Sequence, residues 1–141
     1  MIKIKIKKLH PDAIIPKYAH LGDAGMDLYS VEDVILKPKH RVVLGTGLAI
    51  ELPFGYVSLI WDKSGIASQG IKTLGGVIEH TYRGEYKVVL INLSSKNYFI
   101  KKGEKIAQLL IQPIITPEIE EVHELSETSR GKGNFGSTGL K

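Results

Sequence analysis

The chain has 141 residues, of which 43% are hydrophobic and 24% are charged, and its formal net charge is +4. This length fits one domain with a sizeable core, and the composition is that of an ordinary globular protein. The sequence contains no cysteine, which excludes disulfides and thiolate metal sites. A mild positive charge can attract a polyphosphate. However, the sequence has no basic stripe interleaved with aromatic residues, so we expect no polymeric nucleic acid as a partner.

Nothing in the sequence has the character of a membrane anchor or an export signal. No apolar run approaches the roughly 20 residues of a membrane-spanning helix. Residues 1–7 alternate between apolar and basic side chains, whereas a signal peptide needs a continuous apolar stretch. We therefore expect no membrane partner and a cytoplasmic location.

Short runs of β-branched and aromatic residues follow one another along the chain and are separated by glycines and prolines. This spacing predicts an all-β fold, either a sandwich or a barrel, with a short helical turn at residues 64–69. The continuous apolar run at residues 88–91 predicts a strand that is buried on both faces or lies at a subunit interface. The predicted strands are residues 2–7, 34–36, 42–44, 48–52, 56–61, 77–78, 86–93, 98–100, 106–112 and 119–122.

A polar, glycine-rich tail follows the last predicted strand and divides the chain into a domain at residues 1–125 and an arm at residues 126–141. Within this arm, Arg130 can bind phosphate through two parallel hydrogen bonds, and Phe135 offers a face on which a base can stack. The glycines allow backbone N–H groups to come close to a ligand. A plain flexible terminus explains the same composition.

Two polar segments in the first half of the chain suit a phosphate and its metal ion. Asp27 stands between apolar residues, where it is either a hydrogen-bonded inward carboxylate or a group near a hydrated divalent cation. Lys63, Ser64 and Gly65 follow a predicted strand and open the helical turn. An ammonium, a hydroxyl and backbone N–H groups at such a turn can bind an anion, although a simple N-cap at Ser64 explains the same pattern.

Two later segments add a carboxylate, an aromatic ring and an amide. Residues 75–85 predict a hairpin with its turn near residues 80 and 81, which places Glu79 close to Tyr82. A carboxylate beside a ring suits a base that activates water next to a sugar, although an ordinary charged hairpin has the same appearance. Gln108 lies inside an apolar run and therefore needs a partner, which is either backbone or a ligand phosphate.

In their order and spacing, these four segments and the tail resemble the five motifs of the trimeric dUTPases, and the last motif is Phe135-Gly136-Ser137-Thr138-Gly139. The resemblance covers residues 24–139. It implies a distorted β jelly roll, a homotrimer, and a C-terminal arm that closes over the active site of a neighbouring subunit. It also implies hydrolysis of dUTP to dUMP and pyrophosphate by attack of water on the α-phosphorus, with Mg²⁺ as the cofactor.

The resemblance assigns chemical roles to individual side chains. Glu79 takes the place of the carboxylate that activates water, and Asp27 orients water bound to magnesium. Tyr82 packs against the deoxyribose and excludes a 2′-hydroxyl, while Phe135 stacks over the uracil.

The remaining residues of the resemblance divide between the base and the phosphates. In the base pocket that the resemblance implies, backbone groups form hydrogen bonds with the uracil edge, and no room is left for the methyl group of thymine. The residues of this pocket are Gly76, Val77 and Ile78, flanked by Thr73 and Lys87. The residues implied at the phosphates are Lys63, Ser64, Gly65, Gln108, Arg130, Gly136, Ser137 and Thr138.

The chain departs from the family pattern at several positions. Asp62 and Lys63 stand in place of proline and arginine, and lysine keeps the charge but lacks the bidentate fork. Glu79 stands in place of aspartate and extends the carboxylate by about 1.5 Å. The other departures are Thr73 for asparagine, Thr81 for aspartate and Asn134 for glycine.

These departures leave two alternatives to dUTP hydrolysis open. A glutamate base also fits a related deaminase that acts on dCTP, although Tyr82-Arg83-Gly84 and the tail follow the dUTPase pattern. The replacements at Lys63 and Glu79 also fit a nucleotide-binding regulatory protein with weak turnover.

Overall fold

Ten strands and one short helix make up the regular structure of residues 1–140, which are the residues that the computed structural model describes. In chain order they are β1 (Lys5–Lys8), β2 (Gly25–Tyr29), β3 (Val34–Leu36), β4 (Arg41–Glu51), β5 (Tyr56–Trp61), α1 (Ser64–Ala67), β6 (Ile71–Thr73), β7 (Val77–Glu79), β8 (Glu85–Asn92), β9 (Tyr98–Ile100) and β10 (Lys105–Pro113). The predicted all-β class is confirmed. No helix of the described residues is long and apolar enough to cross a membrane.

The strands form two four-stranded sheets and a separate two-stranded ribbon. One sheet has the order β1-β4-β8-β6, the other has the order β2-β10-β5-β7, and β3 pairs with β9. Every pairing is antiparallel. Side chains from both sheets and from the ribbon meet in one core, whose most deeply buried members include Leu28, Leu36, Leu44, Leu90 and Leu109.

Most predicted strands form close to their predicted positions. The runs at 42–44 and 48–52 belong to one long strand, β4, whose register with β8 shifts between Gly45 and Ala49. The sequence pattern missed β6, which has only three residues. In the apolar run at 88–91, Val88 and Leu90 are buried whereas Val89 and Ile91 are half-buried, so β8 turns one face fully into the core of this chain.

The strand predicted at residues 119–122 does not form. The last strand ends at Pro113, and the apolar side chains of Ile115 and Ile119 are 90% and 94% exposed. An isolated strand cannot satisfy its backbone groups without a partner strand. β-Branched residues alone therefore do not form a strand here.

The side chain of Glu85, the first residue of β8, lies against the irregular part of β4. Its Oε1 accepts a hydrogen bond of 3.0 Å from the backbone N–H of Gly47, which has a φ of +67°. A Cβ on Gly45 would lie 2.5 Å from the same oxygen, so the glycine leaves room for the carboxylate. β4 pairs with β8 at residues 41–45 and, after the register shift, again at Ala49. On its other side, residues 48–51 pair with β1, where Lys5 also forms an ion pair of 2.7 Å with Glu51.

Asn92 is the fully buried amide that ties the end of β8 to its surroundings. Its Nδ2 donates to the carbonyl oxygens of Leu36 at 2.8 Å and Lys96 at 2.7 Å. Replacing Asn92 with alanine should lower the free energy of unfolding by about 3 kcal/mol, because two carbonyl groups lose their donor. Urea denaturation measures this, with the exposed Asn97→Ala as the matched control. Equal stability of the two variants would contradict the prediction.

Candidate active site

A cavity of about 550 Å³ lies beside β7 and the first residues of β8. It brings together five of the residues that the sequence predicts for the base and sugar, including the proposed catalytic carboxylate. It also includes Thr81 and Glu85, which the sequence analysis does not place in a site. The full lining is Val77, Ile78, Glu79, Thr81, Tyr82, Glu85 and Lys87.

The segment between β7 and β8 is not the predicted β-hairpin. β7 pairs with β5 in one sheet, whereas β8 pairs with β4 and β6 in the other, so the segment crosses between sheets. The predicted turn is present nonetheless, because the N–H of Tyr82 donates to the carbonyl of Glu79 at 3.1 Å. The expected closeness of Glu79 and Tyr82 therefore holds, although the strand pairing behind it was wrong.

The ring of Tyr82 lies against its own turn. Its hydroxyl donates to the backbone carbonyl of Glu85 at 3.0 Å. A Cβ on Gly84 would come within 2.4 Å of this hydroxyl, so the glycine allows the ring to fold over the chain. Arg83 closes the turn by donating to the carbonyls of His80 at 2.6 Å and Tyr82 at 2.9 Å. The position of the ring is therefore determined locally.

The carboxylate of Glu79 is exposed to the cavity. Within residues 1–140 its side chain has no hydrogen bond and no ion pair. Lys87, on the same cavity, has its Nζ 3.9 Å from Oε2 of Glu85. Of the two carboxylates that line the cavity, Glu79 is thus the one available to a water molecule.

A second cavity, of about 260 Å³, adjoins β7 and contains Thr73 and Gly76. Asp62 fixes Thr73, because its Oδ1 accepts hydrogen bonds from the Thr73 N–H at 2.7 Å and from the Thr73 hydroxyl at 2.8 Å. Burial raises the pKa of Asp62, but the hydrogen bonds from Lys72 and Thr73 outweigh burial and leave that pKa below its usual value. Asp62, which the sequence analysis lists only as a departure from the family pattern, thus fixes Thr73 at the wall of this cavity.

A third cavity, of about 240 Å³, contains the charged residues that the sequence predicts for phosphate and metal. Asp27 is almost buried and forms ion pairs with Lys63 at 2.8 Å and Lys105 at 2.7 Å. Burial raises the pKa of Asp27, and the two ammonium groups lower it further than burial raises it. Gln108 also lines this cavity, and its Nε2 donates to the backbone carbonyl of Asp62 at 3.0 Å.

Lys105 and Asp23 are the charged residues of this cavity that the sequence reasoning missed, and Lys105 is the one that contacts Asp27. Lys105 begins β10, opposite Tyr29, and the register shift that follows it lets Gln108 pair with Asp27. The sequence offers little reason to select Lys105, because a lysine at the start of a strand is usually solvated. The one signal was its position three residues before Gln108. Gln108, in turn, has the backbone partner that the sequence left open as one of two choices.

Ser64 and Gly65 open the four-residue helix α1, as the sequence predicts for that turn. The N-cap, however, is Lys63 and not Ser64, and no side chain caps the helix. The first N–H groups of a helix have no acceptor within it. Next to the ammonium of Lys63, these donors can bind an anion.

The arm stands apart from all three cavities. The hydrogen bonds of residues 128–139 join arm residues only to one another, as when Arg130 Nε donates to the carbonyl of Gly133 at 3.0 Å. Phe135 is fully exposed. Within one chain, none of the arm residues Arg130, Phe135, Gly136, Ser137 and Thr138 lines a cavity described above.

A dedicated metal cage is absent from residues 1–140, which contain no group of three or more histidine and acidic side chains suited to a metal ion. Mg²⁺ in nucleotide enzymes is commonly held by one or two carboxylates together with substrate phosphates. The single carboxylate of Asp27, next to two ammonium groups that attract phosphate, fits that kind of site.

The dUTPase family model matches residues 11–139. The chain belongs to the dUTPase family. It is 53% identical over 141 residues to the deoxyuridine 5′-triphosphate nucleotidohydrolase of Nautilia profundicola, covering 98% of this chain and 99% of the relative. It is 50% identical over 144 residues to the enzyme of the same name from Hydrogenobaculum sp., covering 99% and 100%.

Solved dUTPase structures share the fold of this chain. A mutant dUTPase of Staphylococcus bacteriophage 80alpha with dUpNHpp has a TM-score of 0.92 at 32% identity and covers 98% of this chain and 99% of its own. A mutant dUTPase of phage phi11 of S. aureus, described for its structural Mg(II) ion, has a TM-score of 0.81 at 30% identity, with coverages of 86% and 97%. The jelly-roll-like fold predicted for this dUTPase is thereby confirmed.

Asp27 should stabilise this dUTPase in a pH-dependent way. Its folded-state pKa is lowered, so its contribution is present above the ordinary aspartate pKa of roughly 3.9 and is lost as the pH falls through the lowered value. At pH 7, Asp27→Asn should reduce the free energy of unfolding by about 1–2 kcal/mol, because both lysines remain partly solvated. Urea titrations between pH 2 and 7 measure the difference, with the exposed Glu118→Gln as control. A constant difference below about pH 3 would contradict the assignment.

Proposed function

We propose that this chain hydrolyses dUTP to dUMP and pyrophosphate, which keeps uracil out of DNA and supplies dUMP for thymidylate synthesis. The observation that carries the proposal is the cavity in which a free carboxylate, Glu79, and the ring of Tyr82 lie beside an edge strand. The names of the relatives, which are nucleotidohydrolases of deoxyuridine triphosphate, support the same activity.

Uracil recognition follows from the position of β7. This strand is the last of its sheet, so one edge of its backbone has no strand partner in this chain. The carbonyls of Gly76 and Ile78 already accept hydrogen bonds from Ile60 and Ser58. The backbone groups of Gly76, Val77 and Ile78 that face away from β5 can pair with the donor and acceptor edge of uracil. Thr73 and Lys87 stand on either side of the strand, and the ring of Tyr82 packs against the deoxyribose. A methyl group on the base would collide with this close backbone.

In the proposed reaction, Glu79 accepts a proton from a water molecule. The water oxygen forms a bond to the α-phosphorus, and the bond from that phosphorus to the bridging oxygen of the β-phosphate breaks. Pyrophosphate leaves with the electron pair of the broken bond. Negative charge develops on the phosphates during this step. The ammonium of Lys63, the amide of Gln108 and the first turn of α1 stabilise it, and so do Arg130 and the hydroxyls of the arm.

Magnesium enters the proposal as the ion that the triphosphate brings with it. Asp27 would hold it through bound water, and the ion would supply positive charge to the phosphates. The support from this chain is the cavity that Asp27 shares with Lys63 and Lys105. Lys63 and Lys105, which pair with Asp27, carry more positive charge than the one carboxylate neutralises and would attract the phosphates.

We also propose that the active protein is a cytoplasmic homotrimer in which the arm of one subunit covers the site of another. The division into a domain at residues 1–125 and an arm at residues 126–141 belongs to this proposal. It is supported by the exposed aromatic ring of Phe135 and by the absence of strands in the described residues after Pro113. An arm with stacking and phosphate-binding groups, but without contacts to its own cavities, suits a neighbour's site.

Glu79 is the residue on which the activity should depend most. Glu79→Gln should lower kcat for pyrophosphate release from dUTP by about a hundredfold or more, because the amide cannot accept the proton. Steady-state assays with magnesium measure this, and the exposed Glu32→Gln is the matched control. The wild type should spare dTTP, dCTP and UTP. Release of ammonia from dCTP would favour the deaminase, and tight dUTP binding without pyrophosphate release would favour a regulatory protein.

Removal of the arm should separate folding from activity. A chain that ends after Glu127 should keep the melting temperature and the oligomeric mass of the full-length protein, because the arm residues add nothing to the core. Its kcat/KM for dUTP should fall by at least about tenfold, since phosphate and stacking contacts are lost. Calorimetry, light scattering and the pyrophosphate assay measure the three quantities. Unfolding of the shortened chain would show that the division is wrong.

A further inference from the structure

A buried chain of hydroxyl groups runs from β8 to the strand that carries Glu79. Tyr86 and Ser58 are both 0% exposed, and their hydroxyl oxygens lie 2.8 Å apart. The Ser58 hydroxyl also lies 3.2 Å from the backbone carbonyl oxygen of Ile78. The three groups connect the two sheets through the interior, because Tyr86 belongs to one sheet whereas Ser58 and Ile78 belong to the other.

The direction of both hydrogen bonds follows from counting protons. A carbonyl oxygen can only accept, so Ser58 must donate its single proton to Ile78. The Tyr86 hydroxyl must then be the donor to Ser58. Burial raises the pKa of Tyr86, so its hydroxyl keeps this proton. The order of donation is therefore fixed from Tyr86 through Ser58 to Ile78.

This hydroxyl chain adds a side-chain contact to a strand that has a partner on one side only. β7 has three residues, lies at the edge of its sheet and pairs with β5 along its whole length. Just before it, the carbonyl of Gly76 accepts a hydrogen bond of 2.9 Å from the N–H of Ile60. The Ile78 carbonyl, which accepts from Ser58, belongs to the peptide that leads directly into Glu79. The orientation of that peptide sets the direction of the Glu79 Cα–Cβ bond, from which the carboxylate extends.

Tyr86 also contacts the opposite wall of the same cavity. Its ring centroid lies 6.1 Å from that of Tyr82, at an interplanar angle of 44°. Its own backbone carbonyl accepts a hydrogen bond of 2.6 Å from the Thr46 hydroxyl, which fixes it to β4. Tyr86 thus contacts the Tyr82 ring directly and reaches β7 through Ser58. The Tyr82 ring and β7 are two walls of the cavity in which we propose that substrate binds.

We propose that Tyr86, acting through Ser58, is a positioning residue that sets the direction of the Glu79 carboxylate. The proposal deepens the proposed hydrolysis of dUTP and rests on it. Its hydroxyl does not touch substrate; it holds the Ile78–Glu79 peptide at the angle that the attacking water requires. A displacement of about 1 Å at such a carboxylate costs on the order of a hundredfold in rate, so even a partial loss is measurable.

The test compares Tyr86→Phe with Tyr98→Phe, which removes the hydroxyl of a half-buried tyrosine in the separate β3–β9 ribbon. Tyr86→Phe should lower kcat for dUTP about tenfold while KM and the Kd for dUpNHpp stay within about twofold, because the start of β7 is held independently. Tyr98→Phe should leave all three unchanged. Ser58→Ala should reproduce the effect, and the double variant should be no slower than Ser58→Ala alone.

Amide hydrogen exchange gives a readout that does not depend on turnover. The amides of residues 77–80 should exchange faster in Tyr86→Phe than in the wild type, and those of residues 98–100 should not. A wild-type kcat in folded Tyr86→Phe with unchanged exchange at residues 77–80 would overturn the proposal. If the wild type itself releases no pyrophosphate, the proposed function fails, and the exchange data alone decide whether the hydroxyl chain positions β7.

Discussion

The pairing of β4 with β8 is the interaction on which the rest of the structure depends. These two strands form the middle of one sheet, and β4 has β8 on one side and β1 on the other. The register of β4 with β8 shifts between Gly45 and Ala49, where the carboxylate of Glu85 lies beside Gly45 and accepts a hydrogen bond from Gly47. Because Glu85 is also the first residue of β8, the same contact sets where the chain enters the cavity beside Tyr82.

Two kinds of polar contact hold the residues of the candidate site in place. In the interior, neutral groups with fixed proton directions orient the backbone, as in the chain from Tyr86 to Ile78. Next to the third cavity, opposite charges are paired, as in the cluster of Asp27 with its two lysines, which keeps an excess of positive charge. A buried neutral network is rigid because each of its groups is satisfied, whereas ion pairs that are partly solvated can exchange partners at small cost.

The sequence predicted strands where each depends on local pattern, and it predicted several residues that the structure brings together in cavities. It failed where long-range pairing decides. β-Branched runs predicted β5, β8 and β10 well, but nothing local showed that β7 would pair with β5 instead of β8. The strand at 119–122 was predicted from composition and lacks a partner. Lys105 was missed because the pairing of β10 with β2, and not the neighbouring sequence, brings it to Asp27. The role of the arm residues was predicted from their chemistry and stays a prediction, since their hydrogen bonds in this chain join them only to one another.

The first strand has a consequence for how copies of the protein meet. β1 is an edge strand, and its exposed residues Lys5, Lys7 and Lys8 leave that edge strongly positive. Only Lys5 is partly neutralised, by Glu51. Two such edges repel each other, which prevents the open-ended strand addition that leads to aggregation. The lysines of β1 thereby disfavour the pairing of this edge with the same edge of another copy.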